Sequence, residues 1–158
     1  MRDIHLINQD LLDQVSAQAR ASPRRRKNYN FHASEADNCN RLLNAIEPDS
    51  YIQPHCHHDA EKDESLVIVR GRLGVVFFDA HGAVTSKAVL EPTGATVGVN
   101  IPHDVYHTLV ALAPGSVFFE AKAGPYAPLT SHEKAAWAPA EGEPQAAAYL
   151  ARLKQMFI

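Results

Sequence analysis

Residues 51–71 read YIQPHCHHDAEKDESLVIVRG, and this stretch decides the fold. Its second half, Ser65 to Val69 closed by Gly71, is a short β-branched run stopped by a turn residue, the pattern of a strand. Its first half places His55 and His57 two positions apart. On an extended strand alternate side chains share a face, so His55 and His57 point together while Cys56 and His58 point the other way. The polar HDAEKD between the two halves predicts a turn, with Glu64 opening the next strand.

The same texture runs outward from there. RLLNAIEP, RLGVVFF, VTSKAVL, ATVGVNI, YHTLVAL and SVFFEAKA are short β-rich segments between residues 41 and 123. Pro48-Asp49, Asp79 to Gly82, Glu91 to Gly94 and Ala113 to Gly115 separate them as turn signals. Short strands with few helical patterns between them predict an antiparallel sandwich or barrel. On the N-terminal side, Leu11, Leu12, Val15 and Ala19 fall at helical spacing over residues 8–20, with Asn8 or Asp10 as cap and Ser22-Pro23 as stop. The basic run Arg24 to Lys27 and the polar, turn-rich NYNFHASEADNCN follow as a loop. On the C-terminal side, the Pro-rich stretch after residue 124 leads to a helix over 144–157, with Pro144 at its first position and Leu150, Leu153 and Phe157 as an apolar stripe for the barrel's outer surface. Trp137 reads as the packing anchor of this tail. The expectation is one domain over 1–158: N-terminal helix and basic loop at 1–39, barrel at 40–123, C-terminal extension at 124–158.

Composition narrows the function. With 46% apolar and 21% charged residues the 158-residue chain reads as globular rather than disordered. A net charge of −3 gives no global case for a nucleic-acid partner. No stretch approaches the length of a membrane span, and the first residues lack the apolar run of a signal peptide. Two cysteines, Cys39 and Cys56, make no disulfide framework and suit a reducing compartment. The expected setting is cytoplasmic, without membrane or nucleic-acid partners.

Nine histidines make metal chemistry the place to look. His107 follows Pro102 at the start of a later strand. His55, His57, Glu64 and His107 would together form a mixed nitrogen and oxygen set suited to one divalent transition metal ion: zinc, iron, manganese or nickel. Four protein ligands on an octahedral ion leave two positions for substrate.

Here the residues carry a resemblance. His55-x-His57, Glu64 with Gly71 seven positions on, and Pro102 with His107 five positions on are similar to the two motifs of the cupin superfamily. PHCHHDAEKDESLVIVRGRLGVVFFD and IPHDVYHTLVAL, with SPRRRKNYNFH, RLLNAIEP and GPYAPLT…WAPAEG, resemble the WbuC family of cupin-fold metalloproteins over nearly the whole chain. The resemblance implies a mainly β protein, a double-stranded β-helix (cupin jelly-roll) barrel with the metal inside, here with an N-terminal helical extension and a C-terminal helix. It also implies an association with bacterial surface-polysaccharide gene clusters, and it supplies no reaction. Two positions depart from the cupin pattern. Six residues separate His57 from Glu64 where three or four are usual, so Glu61 is the alternative carboxylate. Asp104 stands where the second motif has glycine, so that turn must be made another way.

Other candidates surround the metal set. Strand alternation puts Phe118, Glu120 and Lys122 on one face. If that face looks inward, Glu120 and Lys122 become acid–base candidates; if outward, they are a surface pair. His103 in the turn before His107, and Tyr126, are further candidates. Arg24, Arg25 and Arg26 either bind an anion or form a solvated loop, and Asn28, Asn30, His32 and Asn44 offer polar groups nearby.

The function expected is a metal-dependent isomerase or epimerase acting on a small polar metabolite such as a sugar derivative. A non-catalytic carbohydrate-binding or sensing module, an iron-dependent oxygenase and a metal-free epimerase are the alternatives, and a homodimer is expected from the fold.

Overall fold

The computed structural model describes residues 4–158. Two helices and eight strands follow one another as α1 Gln9–Ala21, β1 Arg26–Asn30, β2 Cys39–Ile46, β3 Glu64–Arg70, β4 Leu73–Phe78, β5 Val84–Leu90, β6 Gly98–Ile101, β7 Tyr106–Ala111, β8 Ser116–Ala123 and α2 Ala146–Gln155. The strands form two antiparallel sheets, ordered β1-β2-β8-β3-β6 and β5-β4-β7. The sheets share one apolar core, to which the first sends Ile46, Leu66, Ile68, Ile101 and Phe118 and the second sends Leu73, Val75, Leu90, Leu109 and Ala111. This is the expected jelly roll, as two facing sheets rather than a closed hydrogen-bonded barrel.

Period-2 patterning explains the half-buried strands. In β3, Glu64, Leu66 and Ile68 are buried while Ser65 and Val67 face out. Strand β4 reads LGVVFF without alternation because both its faces are covered. Helix α2 lays Leu150 and Leu153 on its outer side, against Val76, Phe78 and Val110. Helix α1 covers the other sheet, packing Leu12, Val15 and Ala19 on Leu43, Ala45 and Val117. Asn8 caps α1, its side-chain oxygen accepting from the Leu11 amide at 3.0 Å. Asn8→Ala should therefore cost about 1 kcal/mol, read as a lower denaturant midpoint with an unchanged slope. Among the described residues no helix is long and apolar enough to cross a membrane.

Three local expectations change. The segment expected to be a loop after Arg24 contains strand β1, paired along its length with β2. Its inward residues, Arg26, Asn28 and Asn30, are polar, so no apolar alternation announces it. The His55–His57 segment is not a strand. Only His55 is bridged there, exchanging both backbone bonds with His107 at 3.0 and 2.9 Å and pairing also with Lys134. Helix α2 begins at Ala146, with Pro144 in the preceding turn.

The turn without its usual glycine is made by Asp104 in the left-handed region, at φ 61°. Aspartate tolerates that conformation better than most residues. The Asp104 amide donates to the His57 carbonyl at 2.8 Å, and its carboxylate meets His58 Nδ1 at 2.6 Å. The turn thus fastens itself to the His55–His58 segment.

Candidate metal centre

The first residue of β3, the first turn of β7 and the bridged segment at His55 converge inside the jelly roll. Ligand atoms of His55, His57 and Glu64 all lie within 4.8 Å of one another. His107 joins them through Glu64, its Nε2 standing 2.6 Å from Glu64 Oε1. Glu61 is exposed in the polar turn, whereas Glu64 is buried inside the cluster. Alternation along β3 turns Glu64 to the same side as Leu66 and Ile68.

The imidazoles are held in orientation by the backbone. His55 Nδ1 bonds the Gln53 carbonyl at 3.0 Å and His107 Nδ1 bonds the Val105 carbonyl at 2.9 Å. Donation from Nδ1 to a carbonyl leaves the His55 lone pair on Nε2, the arrangement found behind most histidine metal ligands, whereas His107 Nε2 hydrogen-bonds the Glu64 carboxylate. His57 Nε2 is buried, 3.7 Å from Glu64 Oε2, and has no hydrogen-bond partner. A buried nitrogen left unpaired is costly, and a metal ion would satisfy it. Burial and the neighbouring His107 hold the His55 pKa down to about 3, so this ring is neutral near pH 7. Burial opposes charge on Glu64, but the His107 hydrogen bond and the Lys122 ammonium keep its carboxyl well below the usual range. The neutral His55 ring and the ionised Glu64 carboxylate are donors of the kind a divalent first-row ion takes.

Beside this cluster lies the pair whose orientation the sequence left open. Glu120 and Lys122 face inward. Register carries Lys122 opposite Glu64 and Asn40, and Glu120 opposite Leu66 and Leu42. Lys122 Nζ sits 2.7 Å from Glu120 Oε1 and 3.6 Å from Glu64 Oε2. Asn44 Nδ2 donates to Glu120 Oε2 at 2.7 Å. Burial works against the Lys122 charge, but the two carboxylates outweigh it and raise its pKa. One polar chain thus runs from Asn44 through Glu120 and Lys122 to Glu64. It borders a chamber of about 120 Å³ that His55 and His107 also line. The chamber opens into a groove of about 490 Å³ bounded by Arg24, Arg26, Asn28, Asn30, His32, Asn40 and Tyr126, with Asn44, Glu120 and Lys122 common to both spaces.

The remaining candidates divide. Arg24, Arg26, Asn28, Asn30, His32 and Asn44 come together along this groove, and the half-exposed Tyr126 stands at its rim. Arg25 is apart from them: a φ of 57° swings it onto Asp49 at 2.9 Å. His103 is half-buried and turned onto Asp63 at 2.9 Å, which raises its pKa by hydrogen bonding. Asn40 in the groove and Glu141 beside it escaped the sequence reading. Asn40 shares the inward face of β2 with Asn44, four positions on, and alternation from Asn44 would have found it. Glu141, which pairs with both Arg24 and Arg26, lies so far along the chain that no local pattern points to it.

Two-sheet topology, a His–Glu cluster between the sheets and a polar chamber beside it define a protein of the cupin fold. The chain belongs to the family described as Domain of unknown function (DUF6016), whose model matches residues 7–90, a span that includes His55, His57 and Glu64. No curated protein matches the chain. Among solved structures it is similar to KdgF from Halomonas sp., at 19% identity and a TM-score of 0.52 over 67% of this chain and 84% of that one. It is also similar to the conserved SPY1581 protein of unknown function from Streptococcus pyogenes, at 8% identity and a TM-score of 0.52 over 80% and 93%. A cupin superfamily protein, DSY2733 from Desulfitobacterium hafniense, matches at 13% identity and a TM-score of 0.48 over 62% and 76%.

Proposed function

We propose that this protein is a metal-dependent cupin that rearranges a small polar metabolite, such as a sugar derivative, by proton transfer. His55, His57, Glu64 and His107 would hold one divalent transition metal ion, which when bound would act as a Lewis acid on adjacent substrate oxygens. Glu120 is the base. It is buried, contacts Lys122 and Asn44, and borders the chamber, so it can take a proton from a substrate carbon and return it to a neighbouring one, leaving no net change in protons. Lys122 bridges Glu120 and Glu64, offsets the repulsion between the two carboxylates, and places an ammonium where oxyanion charge develops. The single observation that carries this reading is the buried Glu120–Lys122 pair touching the Glu64 carboxylate.

The resemblance to the WbuC family supports a place in surface-polysaccharide metabolism, and the residues working as one domain over 1–158 in the cytoplasm fit that setting. The test is deuterium exchange. Metal-loaded protein in D2O, incubated with a panel of hexoses and uronic acids, should wash deuterium into a carbon-bound position of at least one of them. Glu120→Gln should slow this by about 100-fold or more, the range of a lost general base, with metal content unchanged. Saturable binding without exchange would instead support a carbohydrate-sensing module.

A further inference from the structure

The groove is far larger than the chamber it feeds, and its wall is of a different kind. Deep in the jelly roll the first sheet's inner face is apolar, with Leu66, Ile68 and Phe118. Toward β1 the same face becomes Asn28, Asn30, Asn40 and Asn44 around Leu42, held by register on two paired strands. We infer that this half of the sheet is a binding groove for a hydroxyl-rich ligand carrying one anionic group, its hydroxyls on the asparagine amides and its anion on Arg24 and Arg26. The inference deepens the proposed function, since it names the substrate class of the same site.

Three observations carry it. An amide offers donors and an acceptor side by side, which matches a hydroxyl that both donates and accepts. Four amides fixed on strands make a rigid polar platform, unlike the apolar wall that most small-molecule pockets present. Second, Asn40 is 3% exposed, lines the groove, and has a buried side-chain oxygen with no partner. Buried polar atoms in folded proteins are nearly always paired, so an acceptor left open beside a cavity awaits a donor from what binds there. Third, the groove ends at two guanidiniums that meet a single carboxylate. Arg24 Nε bonds Glu141 Oε2 at 3.1 Å and Arg24 Nη2 bonds Oε1 at 3.2 Å, while Arg26 reaches the same carboxylate. Two guanidiniums against one carboxylate leave one positive charge there, and Lys27 and Glu35, which also line the groove, offset each other, in a protein whose net charge is −3. Guanidinium geometry suits carboxylate and phosphate alike.

The test uses the full chain as purified with its metal, titrated by calorimetry with D-glucose, D-glucuronate and D-glucose 1-phosphate. Both anionic sugars should bind at least tenfold more tightly than glucose, and the tighter of the two identifies the anion as carboxylate or phosphate. Asn40→Leu should weaken all three by tenfold or more. Asn28→Ala, on the exposed edge strand and harmless to folding, should weaken them severalfold. Arg24→Gln should erase the preference for the anionic sugars while leaving glucose binding as it was. Absence of saturation with all three sugars, wild-type affinity in both asparagine variants, or a preference that survives Arg24→Gln would overturn the inference. Metal content measured on the same samples separates the two readings. Sugar binding by protein that takes up no metal keeps the groove and sinks the metal centre; a metal-loaded protein that binds no sugar does the reverse.

Discussion

Alanine at His107 should leave the protein without its metal. Wild-type protein purified without chelator or histidine tag is expected to carry one transition metal ion per chain by elemental analysis. His55→Ala and His107→Ala are each expected to carry less than a tenth of that. Even residues that only orient a metal ligand typically contribute about 10–100-fold to affinity, so removing a ligand should exceed that range. His107 matters twice, because its Nε2 also sits 2.6 Å from the Glu64 carboxylate and its loss frees that side chain. His58→Ala is the control. His58 is turned outward onto Asp104, and its removal should leave metal content intact. A wild-type protein that holds no metal and takes none up on reconstitution would sink the metal reading, and leave a metal-free epimerase or a simple binding barrel.

A large loss of stability is expected from Gly71→Ala. Gly71 closes β3 at φ +80°, and a Cβ there would lie 2.5 Å from Ser116 Oγ and 2.8 Å from Ser116 Cα. The serine cannot swing aside. Its buried hydroxyl lies 3.1 Å from the Arg72 amide, 3.0 Å from the Arg72 carbonyl and 2.7 Å from the Ala113 carbonyl. A left-handed alanine costs about 1–2 kcal/mol and disturbing a buried polar group about 1–3 more. A total of about 3 kcal/mol corresponds to a fall in Tm of roughly 6–12 °C for a chain of this size. A Tm within ~2 °C of wild type would show that the turn can relax and that Ser116 is not fixed.

Elements announced by a run or a stripe were legible in the sequence. Strand β3 was read from its β-branched run closed by Gly71, but its outward Val67 is as apolar as its inward neighbours, so the side to which Glu64 turns was not encoded in the run. Apolar stripes gave away both helices. Strand β1 was hidden because its inward residues face a wet groove, and a polar face toward a cavity looks like a loop. The Glu120–Lys122 pair was visible as charge in an apolar strand. Which way it faced depended on the sheet closing over it, and no local pattern encodes that. Glu141 and Asp104 act through partners far along the chain. Their roles follow from tertiary geometry: Asp104 replaces a glycine because its left-handed backbone is secured by His57 and His58.

The His55 backbone is clasped on one side by His107 and on the other by Lys134, three segments widely separated in sequence. Contacts of that kind are long-range, and loop-closure entropy makes them slow to form. The cluster is therefore assembled by long-range closures rather than by any local hairpin. A nascent chain would present it as scattered imidazoles until the segment at Lys134 docks, so metal loading would wait on that closure.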